Sequence, residues 1–146
     1  MTKLIFAVSA LALAATAALA DPIVDRKALM KANGKAAGAL VAVAKGEQPF
    51  DVAAVLAVLT TMNETAERFD IEALFPAGTD KGDTSASPKI WDDMTGFKSS
   101  MEKFKIDVAA AVATPPQDIG ALKATLGAIG QKCSGCHETF RLQKKG

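Results

Sequence analysis

The chain has 146 residues, with 17 Lys and Arg against 16 Asp and Glu, one His, two Cys and no Tyr. So even a charge balance offers no basic face for nucleic acid, and Cys133 and Cys136 lie too close together to staple distant segments. The length allows one modest core, and abundant Ala, Leu, Lys and Glu with few β-branched runs favours helices.

Lys3 precedes an apolar run from Leu4 to Leu19, which closes on Ala18-Leu19-Ala20 just before Asp21-Pro22. One early positive charge, an apolar centre and small residues at the end describe a secretory signal peptide, residues 1–20, cleaved after Ala20. A membrane anchor is the competing reading, and the cleavage signal and lack of flanking basic residues argue against it. No later stretch is long and apolar enough to span a bilayer. The mature domain, residues 21–146, is therefore expected in the periplasm, without stable membrane insertion. Losing Lys3 with the leader leaves it formally neutral.

Four segments then carry apolar residues at steps of three and four, the spacing of helices around a shared core. The first spans about 22–45, with Ile23, Met30, Gly34, Ala37, Val41 and Ala44 on its stripe and Gly46 as a stop. The second runs from an N-cap at Asp51 to Phe69 through Val52, Val55, Leu59, Met62 and Ala66. Residues 76–87, with Gly78 and Gly82, read as a surface loop. Ser87 and Pro88 are expected to open the third helix, which carries Trp91, Met94, Phe97 or Lys98, Met101, Phe104 and Val108 and stops before Pro115-Pro116. The fourth begins near Gln117 and places Ile119, Leu122, Leu126, Ile129, Cys133, Cys136 and Phe140 on one face. Short links make each pair antiparallel, and the simplest closure is an all-α four-helix bundle.

The chemistry lies on that last face. Cys133-Ser134-Gly135-Cys136-His137 is C-x-x-C-H, the attachment signature of c-type haem. Thiols at i and i+3 share a helix face and can each add to a vinyl group on one haem edge. The imidazole one residue on can reach the iron axially. A thioredoxin-type redox pair would need β-α-β context, a zinc site would need more Cys or His, and a disulfide across two residues would constrain almost nothing. The expected cofactor is one covalently bound haem c per chain, with His137 as proximal iron ligand.

With C-x-x-C-H on the last helix of a bundle, the chain resembles the class II c-type cytochromes, the cytochrome c′ family. Arg26 to Asn33, Lys45 to Asp51, Leu74-Phe75-Pro76, Pro88 to Trp91, and His137 with Phe140-Arg141 agree with that family. The resemblance covers the whole mature chain and implies a four-helix bundle enclosing the haem.

Function turns on the sixth iron position. With the one His used, Met is the best remaining ligand, and a thioether raises the reduction potential. Helical rise puts Met30, Met62 and Met94 at a similar level to His137 and Met101 too far along. Among the three, the resemblance selects Met30, four residues after Arg26, and likens the chain to the low-spin branch in which that Met binds iron. It also gives Arg26 as a propionate contact, against a plain surface Arg. Arg141, i+4 from His137, lies over the proximal side of the haem or is solvated. The expectation is a six-coordinate electron carrier serving redox partner proteins. The alternative is a five-coordinate site binding small gases such as NO or CO. An enzyme is not expected, since no second His and no acid–base pair are available to cleave a peroxide. Family members are often dimers through the first two helices, so a homodimer is one assembly the resemblance allows.

Overall fold

The computed structural model describes residues 21–143, and the expected leader lies outside them. Four long helices form the body: α1 (Pro22–Ala44), α2 (Val52–Glu67), α5 (Met94–Ala113) and α6 (Ile119–Phe140), with single turns α3 (Ile71–Leu74) and α4 (Lys89–Asp92) between the second and third. Helix α1 packs on α2, α2 on α5, α5 on α6, and α6 back on α1, which closes a four-helix bundle with its core along the centre. No helix among the described residues is long and apolar enough to cross a membrane.

Aspartates start five of these helices. Asp21, Asp51, Asp70, Asp93 and Asp118 each accept a backbone N–H of the first turn, satisfying donors that lack a helical partner. Helix α1 ends as expected. Gly46 takes a φ of 78°, its N–H donates to Val43 O and that of Glu47 donates to Ala42 O, so two orphan carbonyls are satisfied.

Three local expectations need correction. The third helix is broken: Ser87 and Pro88 open only the α4 turn, the chain kinks at Asp93 (φ −137°, ψ 59°), and Asp93 caps α5 through Gly96 N–H at 3.0 Å. Asp118, not Gln117, starts α6. The core stripe of α1 is rotated from the expected one and runs through Arg26, Leu29, Ala36, Leu40 and Ala44. Val41 is exposed, a Cβ at Gly34 would meet open space, and Met30 and Ala37 sit at the margin of the core. A helix rich in Ala and Gly has several near-equivalent apolar arcs, and packing against two neighbours selects among them.

The helix directions give the bundle two unlike ends. Short turns join α1 to α2 and α5 to α6 at one end. At the other meet the start of α1, the end of α2, the start of α5 and the C-x-x-C-H end of α6. The long 75–93 connection crosses this second end.

Candidate functional site

A cavity of about 560 Å³ opens at that second end. Cys136 and His137 line one wall from the last turns of α6. Arg26 and Met30, one turn apart on α1, line another, and Ile90, Phe97 and Phe140 give it an apolar floor. The floor belongs to an aromatic chain: Phe97 meets Phe140 edge-on at 5.3 Å between centroids and Phe75 at 4.8 Å. Cys133, one turn back along α6, is half-buried against the core.

Cys133 and Cys136 form no disulfide. Burial pushes each above the ordinary thiol range, and the neighbouring Cys133 adds to the rise at Cys136. His137 is shifted the other way, first by burial and then by the positive charge of Arg141, which favours a neutral imidazole. That is the form in which a ring nitrogen can bind a metal.

The four methionines weighed from the sequence separate clearly. Met62 and Met101 are buried in the apolar core, 1% and 3% exposed, and Met94 packs half-buried beside it. None of these three lines the cavity, whereas Met30 does. Level along the bundle could not distinguish them because it ignores which way each helix face points.

Arg26 is not a surface residue. It is 3% exposed, and its guanidinium stacks over Phe75 at 4.9 Å and Trp91 at 5.8 Å. One terminal nitrogen donates to Leu74 O (3.1 Å) and Thr79 Oγ1 (2.9 Å), the other to Thr79 O (2.6 Å) and Thr84 Oγ1 (2.8 Å). Burial lowers its pKa, with the charge of Asp21 acting in the opposite sense. Trp91 closes the same corner by donating its indole N–H to Phe75 O at 3.0 Å.

Arg141 is exposed, lines the cavity, and pairs its backbone with Ala86. Sequence reasoning passed over Lys27, Lys31, Thr84 and Ser85, which also line the cavity. For the lysines a signal existed, since they repeat the i, i+4 spacing of Arg26 and Met30 one residue on. The loop residues carried none, because only the folded chain brings them beside α1.

A family description, Cytochrome C′, matches residues 21–141. The chain belongs to the cytochrome c′ family. The cofactor of this family is covalently attached haem c. The chain is 42% identical to a cytochrome c-556 of Agrobacterium tumefaciens (strain apple 185) over 119 residues, covering 82% of this chain and 93% of that one. A cytochrome c′ of Rhodopseudomonas palustris is 38% identical over 125 residues, covering 85% and 84%. The solved structure of cytochrome c′ from Rhodopseudomonas palustris superposes with a TM-score of 0.79 at 37% identity, covering 86% of this chain and 99% of that one. Relatives thus go by both names at similar identity, and the choice between c-556-like and c′-like chemistry rests on the site itself.

Proposed function

We propose that this cytochrome carries single electrons in the periplasm, with haem joined through Cys133 and Cys136, His137 as proximal iron ligand and Met30 as distal ligand. The observation that carries this reading is that Met30, alone of the four methionines considered, lines the cavity that Cys136 and His137 also line.

The donor set fits the group. Cys133 and Cys136 stand three residues apart on the helix stretch that carries His137, an imidazole whose surroundings favour the neutral form. Cys136 and His137 line the cavity, while Cys133 packs half-buried one turn back. The cavity falls within the roughly 300–1,000 Å³ typical of small-molecule sites. When bound, haem supplies an iron that exchanges one electron between ferric and ferrous states. The chain's own residues do the rest. The cysteine sulfurs would tether the group, the helical spacing would aim His137 at it, and Ile90, Phe97 and Phe140 would keep water from the floor. With haem bound, a thioether from Met30 would favour the ferrous state and compete with exogenous ligands. A propionate contact from Arg26 would draw on Nε–H, the one guanidinium donor not committed to backbone and threonine oxygens. The partners in this reading are redox proteins, met as a monomer or a homodimer, and catalysis is not part of the role.

The second reading, a five-coordinate gas-binding site, is favoured by relatives named cytochrome c′ as similar as those named c-556. Absorption spectra of purified protein, oxidised and reduced, with and without carbon monoxide, separate the two. The electron-carrier reading expects low-spin spectra in both states and little carbon monoxide uptake. High-spin spectra with ready uptake would replace it with gas binding.

A further inference from the structure

Residues 79–87 form a strap across the open end of the bundle, fastened on both sides. On the α1 side, Arg26 holds Thr79 and Thr84 as described, and Lys27 donates to Asp83 O at 3.1 Å and pairs with the Asp83 carboxylate. On the α6 side, Ser87 N–H donates to Phe140 O at 3.0 Å, Leu142 N–H donates to Ser85 O at 2.8 Å, and Ala86 and Arg141 form an antiparallel bridge. The strap therefore joins the second turn of α1 to the last turn of α6. Met30 lies one turn beyond Arg26, and His137 one turn before Arg141. The two proposed iron ligands sit next to the two fastening points.

The fastenings are unequal. The Lys27–Asp83 pair is solvent-exposed, and such pairs contribute little. Arg26 is buried, and a buried cation is costly unless its donors are satisfied. Four bonds in a planar fork, with Phe75 and Trp91 against the guanidinium, satisfy the four donors of its two terminal nitrogens and fix their direction. An apolar side chain could fill the same space, but it could not fix where the strap sits along α1.

We propose that Arg26 is a positioning residue, which through Thr79 and Thr84 locks the strap and so holds α1 at the spacing from α6 where the Met30 sulfur reaches the iron. This rests on the six-coordinate reading of the site. Thr79 gives the cleanest test, because it bonds Arg26 but does not line the cavity.

The experiment compares holoprotein with Thr79→Val, Thr79→Ser and Arg26→Gln by the near-infrared sulfur–iron band of the ferric state and by carbon monoxide affinity of the ferrous state. Thr79→Val and Arg26→Gln are expected to weaken the band and raise carbon monoxide affinity about tenfold or more, the scale of one hydrogen bond to a charged group. Thr79→Ser, which keeps the hydroxyl, should behave as native. If Arg26→Gln does not fold, the two Thr79 variants decide the matter alone. A native band that survives unchanged in Thr79→Val would overturn the strap while leaving Met30 ligation intact. A change in Arg26→Gln without one in Thr79→Val would likewise overturn it and assign Arg26 to direct haem contact. A native protein that lacks the band and binds carbon monoxide freely would overturn both the strap and the six-coordinate reading.

Discussion

The two ends of this bundle are built from different materials. The end closed by the short turns is aliphatic and full: Leu40, Val55, Leu59, Val108 and Leu122 are each at most 1% exposed. The other end is aromatic and open, with a cavity, a buried arginine and three rings in edge contact. One end holds the helices together by packing, while the other holds them at a distance around space for a large flat group. Such a division of labour along the helix axes would let stability and function be changed separately.

The largest expected effect lies at the open end. A Cys133→Ala, Cys136→Ala double variant should lose haem on acid–acetone extraction, and holoprotein yield should collapse. Its amide hydrogen exchange should then quicken in the first turns of α1 and the last turns of α6, while amides near Leu59 and Leu122 stay protected longest. Uniform loss of protection would break the comparison.

At the closed end, Leu59→Ala removes a side chain with no exposed surface and should cost about 2–5 kcal/mol in denaturant unfolding. The absorption spectrum should not change, since the cavity lies at the other end. A spectral shift would show that the ends are coupled.

The smallest effect concerns the kink that starts α5. A Cβ at Gly96 would lie 2.5 Å from an Asp93 carboxylate oxygen, so Gly96→Ala should displace the cap and cost about 1 kcal/mol, although alanine favours helix. A gain in thermal stability would show that the carboxylate swings aside without loss.

Sequence periodicity made the bundle legible because α2, α5 and α6 carry large side chains at helical spacing. Val55, Leu59, Met62, Met101, Phe104, Val108, Leu122, Ile129 and Phe140 are buried where the spacing puts them. On α1 the alanines and glycines left the face ambiguous, and the stripe came out rotated. C-x-x-C-H was legible because its chemistry is local, held within two helical turns. Arg26 was legible only as a choice between a haem contact and a surface Arg; its burial was not, because tertiary structure alone brings carbonyls, hydroxyls and rings around it. The strap escaped for the same reason: its partners are more than fifty residues away from it on α1, and nothing in its composition names them.

The central claim is that the open end presents Met30 to iron, and Met30→Ala tests it most directly. The ferric protein should show the sulfur–iron charge-transfer band in the near infrared, and the variant should lose it. The variant's reduction potential should fall, its ferrous form should bind carbon monoxide readily, and both thioether links should remain. Met62→Ala, which opens the apolar core instead, should lose stability and keep the band. A band that survives Met30→Ala, or disappears in Met62→Ala, would contradict the account.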